Sequence, residues 1–119
     1  MDGMSEPDRI FQMWSFTVGM SRLLLRSPRT STKDTRIDVL FQNVKALKLP
    51  TLLAGLSVRS ATTEELRSIE NEIGVLEDRQ TRVFVVEGTD YEGYVVASVM
   101  AAHEDQGSYQ DPSALVGEP

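Results

Sequence analysis

The chain has 119 residues, 40% hydrophobic and 25% charged, with 12 Lys/Arg against 18 Asp/Glu and no cysteine. This length fits one domain with a single core, and the missing thiols exclude disulfides, cysteine nucleophiles, iron–sulfur clusters and cysteine zinc sites. No apolar run approaches the roughly 18 residues of a membrane helix, and the acidic start MDGMSE lacks the basic region of a signal peptide, so a cytoplasmic protein with no membrane partner is expected.

Residues 1–9 mix Gly, Pro and charge and read as a disordered lead-in to a single domain over 10–102. Trp14, Phe16, Val18 and Met20 then alternate with Ser15, Thr17, Gly19 and Ser21, which predicts a half-buried strand whose apolar row faces the core. In Arg22-Leu23-Leu24-Leu25-Arg26 the apolar phase shifts by one; Gly19 supplies a bulge there, or two strands meet at a bend. Residues 27–34, with Pro28 among Ser and Thr, form a loop. Thr35, Ile37, Val39 and Phe41 alternate with Arg36, Asp38 and Gln42 as the next strand. Gln42-Asn43 is a turn or bulge, because Asn tolerates positive φ. A third strand runs from Val44 to Leu49 and stops at Pro50, and a short fourth covers Leu56 to Ser60.

One helix is predicted from Thr62. A threonine oxygen at the cap accepts from the third helical amide, and Glu65 reaches back to the cap amide, forming a capping box. Leu66, Ile69 and Ile73 recur on one face, and Gly74 ends the helix. The residues 82–87 and 91–100 make a hairpin around Gly88-Thr89-Asp90. Their valines are apolar on both faces, which places these strands centrally with the helix over one side. Residues 103–119 hold four acids and no Lys or Arg, an acidic, partly ordered tail with Tyr109, Leu115 and Val116 as docking points. The fold expected is α+β: five or six mostly antiparallel strands, beginning with a four-stranded meander, and one amphipathic helix packed on the sheet.

Charge divides the chain. Residues 1–63 carry nine Lys/Arg against five Asp/Glu, and residues 64–119 carry three against thirteen. Arg22, Arg26, Arg29, Lys33 and Arg36 fall within fifteen residues. Arg22, Arg26, Arg29 and Arg36 are the candidate contacts for a ligand or partner, since paired guanidinium groups hold carboxylate or phosphate. Internal pairing with the acidic half is the competing reading. The low aromatic content and acidic balance disfavour nucleic acid.

Catalytic and cofactor signatures are few. His103 is the one histidine, and the serines near glycine do not form a Gly-x-Ser-x-Gly elbow. Glu87, Asp90 and Glu92 depart from the spacing of a calcium loop, and no glycine-rich phosphate loop occurs. No catalytic residue, metal or cofactor is therefore assigned. The expected function is a small non-enzymatic protein-binding module. The alternatives are an anionic-ligand or enzymatic pocket between helix and sheet, and a self-associating subunit in which an exposed edge of the valine hairpin pairs with a second copy. The stretch from Thr35 to Leu49 resembles, in its strand–turn–strand pattern, β-rich segments of small bacterial immunity-type proteins. That resemblance implies an inhibitor neutralising a basic enzyme by charge complementarity.

Overall fold

Eight strands and one helix make up the computed structural model, which describes residues 3–76 and 78–116. The first two residues of the expected lead-in, Glu77, and the last three residues of the tail lie outside the described residues. The strands are β1 (Met4–Thr17), β2 (Arg22–Ser27), β3 (Arg36–Gln42), β4 (Ala46–Lys48), β5 (Leu52–Ser60), β6 (Arg82–Glu87), β7 (Glu92–Ala97) and β8 (Val99–Asp105). The helix α1 covers Thr63–Ile73. All belong to one antiparallel sheet in the order β4-β7-β6-β5-β1-β2-β3-β8. The α+β class holds, but the sheet has eight strands rather than five or six. The difference arises where two expected strands each divide: the turn at Val18–Ser21 separates β1 from β2, and Ser98 separates β7 from β8. Asn43, at φ 59°, kinks the chain between β3 and β4 as expected.

The breaks at Asn43 and Ser98 close the sheet. Gln42 faces Val99; four residues on, Ala46 faces Val96, only three residues back, so the β3–β4 ribbon carries one extra residue. The hydrogen bonds Ser98 N–H to Gln42 O (3.0 Å) and Lys45 N–H to Val96 O (2.8 Å) span the slip. The β3–β4 ribbon thus pairs along its length with the β7–β8 ribbon, and the sheet returns to its start as a closed antiparallel barrel. Both hairpin strands are paired on each side, so the valine hairpin offers no edge for a second copy.

Side chains from around the ring fill the interior, including Phe11, Leu23, Leu25, Val39, Phe41, Leu53, Val86 and Val95. Phe41 and Phe84 meet edge to face at 5.5 Å across it. Outside, Val83, Tyr94 and Val96 pack with Ile69 of α1. The alternate residues Phe84, Val86 and Val95 point inward, which explains why these strands read as apolar on both faces.

Two N-terminal expectations need correction. The first strand starts at Met4, not Ile10, and Arg9 is buried at one barrel end, donating to Ser27 Oγ (3.0 Å). The row Trp14, Phe16, Val18, Met20 is not core: Phe16, Val18 and Met20 are exposed, Val18 to 79%. The inward row is instead Phe11 and Met13, and the ladder slips between Met13 and Ser15. The chain then turns through a 3₁₀ segment, Val18–Met20, and Ser21 at φ 49°, so a hairpin replaces a continuous bulged strand. At the other end, β8 extends to Asp105, and residues 106–116 lie against β2 and β3. The connection between β6 and β7 spans four residues, 88–91, rather than three.

Candidate functional site: an acidic groove between helix and hairpin

The capping box forms as the sequence predicts. Thr62 Oγ1 accepts from Glu65 N–H (3.1 Å), and Glu65 Oε1 accepts from Thr62 N–H (2.9 Å). Glu65 has a second role. Arg59 of β5 donates to both its oxygens (2.8 and 2.7 Å), and Arg59 Nε donates to Glu87 Oε1 of β6 (3.2 Å). One guanidinium thereby fastens the first turn of α1 to the sheet. The Arg59 side chain, reinforced by the Thr62 amide, holds the Glu65 carboxyl at about 2.

Further along α1, Glu72 accepts from Lys48 Nζ (3.3 Å) and from the Tyr94 hydroxyl (3.1 Å). Burial, and then Glu72, raise the Tyr94 phenol above its ordinary range. Between these two anchor points lies a groove of about 170 Å³, floored by Ile69, Val85 and Tyr94 and walled by Glu65, Glu72, Glu92 and Lys48. Gly93 admits the close approach of β4 here, since a Cβ would stand 1.8 Å from Lys48 O.

Glu87 and Glu92 face each other directly across the hairpin. Like charges in that register repel, and Glu87 pushes the Glu92 carboxyl upward, first by sharing a hydrogen bond and then by its charge. Around the groove, four carboxylates (Glu65, Glu72, Glu87, Glu92) stand against two cations, Arg59 and Lys48. The local field is negative over an apolar floor, an arrangement that accepts a cationic head on an aliphatic stem.

The four candidate arginines lie elsewhere. Arg26 is 1% exposed and donates to both oxygens of Asp38 (2.7 and 3.0 Å). Arg36 is 3% exposed and donates to both oxygens of Asp105 (3.0 and 2.9 Å), which draws that carboxyl below its ordinary value. Arg29 donates to Gln106 O (2.8 Å). Arg22 opens β2 opposite Thr17 and is half-buried. The barrel brings Arg26 and Arg36 to one outer face, yet both are committed to acids of this chain. Neither lines the helix–sheet groove. His103 stands opposite Asp38, with Nε2 3.5 Å from Asp105 Oδ2.

Sequence reasoning did not single out Arg59, Glu72 or the Glu87–Glu92 opposition as parts of one site. Glu87 and Glu92 were legible as neighbours of a hairpin loop; their facing register was not, because it depends on loop length. Among the described residues no helix is long and apolar enough to cross a membrane, and no group of three or more His, Asp or Glu is placed to hold a metal ion. No protein-family model, curated protein or solved structure matches the chain.

Proposed function

We propose that the chain is a non-enzymatic protein-binding module whose groove between α1 and the β6–β7 hairpin receives a lysine or arginine side chain from a basic partner. The observation carrying this reading is Glu92, which lines the groove beside its apolar floor and stands in repulsive register opposite Glu87, itself paired with Arg59. A cation entering there removes the repulsion and supplies charge-assisted hydrogen bonds. The groove's size agrees. At about 170 Å³ it is below the roughly 300 Å³ at which small-molecule pockets begin, and it suits one side chain. A basic enzyme surface neutralised by this acidic face is a partner of the matching chemistry.

A labelled arginine-rich peptide, titrated by fluorescence anisotropy at low and physiological salt, tests the proposal. Glu92→Gln is expected to weaken binding about fivefold or more, while Glu6→Gln in β1 leaves it unchanged. Equal weakening by both variants would reduce the effect to net charge and overturn the reading.

A second reading is favoured by one observation. On the other flank of α1 lies a cavity of about 430 Å³, bordered by Leu66, Glu70, Leu76, Asp78, Arg82 and Val83. Thr81 Oγ1, which also lines it, is buried without a hydrogen-bond partner among the described residues. A buried hydroxyl left unpaired costs about 1–3 kcal/mol, and a small polar ligand there would satisfy it. Thermal-shift screening with Thr81→Val as the comparison separates this from the first reading: a ligand that stabilises the wild type and not the variant supports it.

A further inference from the structure

The outer face of β2 and β3, on the far side of the ring from α1, carries Leu24, Arg26, Arg36 and Leu40, all buried although, among the described residues, no strand or helix lies over them. The segment 106–116, which has no regular structure, crosses this face. Its main-chain carbonyls are the points of attachment. Arg26 Nη1 donates to Tyr109 O (2.6 Å), Arg36 Nη1 to Ser108 O (2.9 Å) and Asp111 O (2.8 Å), and Arg36 Nη2 to Pro112 O (3.3 Å). Arg29 Nη1 holds Gln106 O (2.8 Å). The guanidinium groups of Arg26 and Arg36 use their remaining faces on Asp38 and Asp105. One side chain adds to this: the Tyr109 ring meets Trp14 edge to face at 5.6 Å, and Arg26 lies 5.0 Å from the centre of the same indole.

This mode of attachment reads the main-chain carbonyls of a turn, closed by Asp111 N–H to Ser108 O (3.2 Å), rather than particular side chains, with a single aromatic socket at Trp14. Of the segment, only Ser113 is fully buried. Its local opening therefore costs far less than unfolding the barrel. Opening leaves guanidinium donors unsatisfied and Leu24, Leu40 and Trp14 uncovered, a penalty that disappears when an equivalent segment enters.

We infer that this face is a groove for a turned peptide segment, occupied in cis by residues 106–113 and open to the same segment of a second copy. Exchange between two copies re-forms every contact, so the balance is set by protein concentration. The inference does not depend on the α1 groove.

The probe is a labelled peptide with the sequence of residues 106–116, added to the full chain and followed by anisotropy. Saturable capture is expected. It tightens about three- to tenfold with the Tyr109→Ala chain, whose cis competitor has lost its aromatic contact, and weakens similarly for a peptide carrying that change. Arg29→Ala is the second variant: it removes a contact that the cis segment and the peptide make equally, to Gln106 O, so capture is expected to change far less than with Tyr109→Ala. Excess unlabelled peptide is expected to dissociate any dimer seen by sedimentation. Absence of capture by all three chains, or capture indifferent to Tyr109, overturns the inference.

Discussion

Arg26 of β2 and Asp38 of β3 stand opposite one another and share two hydrogen bonds, 2.7 and 3.0 Å, with both side chains 1% exposed. A charge taken this far from water is tolerated only while its partner remains. Asp38→Asn is therefore expected to lower stability by about 3–5 kcal/mol. The double change Arg26→Met with Asp38→Leu is expected to recover part of that loss, because neither charge is then left alone. Urea denaturation of the two variants measures both effects.

Glu65 sets a pH window. Its folded-state value, about 2, lies below the ordinary 4.5. A depressed carboxylate contributes stability that is complete above its unfolded value and is lost as pH falls through the folded one. The melting temperature is expected to fall between about pH 4.5 and 2, more shallowly in Arg59→Gln, which removes the principal cause of the shift. Thermal denaturation across that range, for wild type and variant, shows whether Arg59 is the source.

Glu92 has the opposite sign. Its carboxyl is raised by Glu87, so the folded state holds its proton more tightly than the unfolded chain, and stability falls as pH rises through the shifted value. Glu92→Gln is expected to raise the melting temperature at pH 7, with the advantage vanishing in acid, where both carboxyls are protonated. The same variant is expected to weaken the arginine-rich peptide. Gain in stability with loss of binding is the pattern of a residue retained for function at a structural cost.

Local signals were the most legible part of this sequence. Thr62 and Glu65 announce the helix start because a capping box acts within four residues, and Asn43 announces the kink because few residues accept positive φ. The valine hairpin revealed its central place through apolarity on both faces. The inward row of β1 is not legible from alternation, since Phe16, Val18 and Met20 are as apolar as Phe11 and only the slip after Met13 decides which row faces the core. The assignment of Arg26 and Arg36 to partner contacts faced a similar limit. Their acids, Asp38 and Asp105, are 12 and 69 residues away, and closure of the barrel is what joins Arg36 to Asp105.

Gly93 sits where β4 meets β7, at the seam of the closed sheet. Alanine there would place its Cβ 1.8 Å from the Lys48 carbonyl oxygen, a clash with backbone that no rotamer relieves. Gly93→Ala is expected to detach β4, lowering the melting temperature strongly and distorting the groove floor at Tyr94. Gly19→Ala, with open space around the added carbon, is the control expected to be tolerated. Thermal melts of the two variants compare them directly.

Closure of the barrel through the paired β3–β4 and β7–β8 ribbons fixes the position of both the acidic groove and the arginine face. Amide hydrogen exchange at Lys45 and Ser98, the donors that span the slip, tests it most directly. A closed ring predicts that these two amides exchange about as slowly as those of Val85 and Val95 in the hairpin. Exchange at Lys45 and Ser98 as fast as in the exposed 28–34 loop, with the hairpin still protected, would show an open sheet and contradict the account.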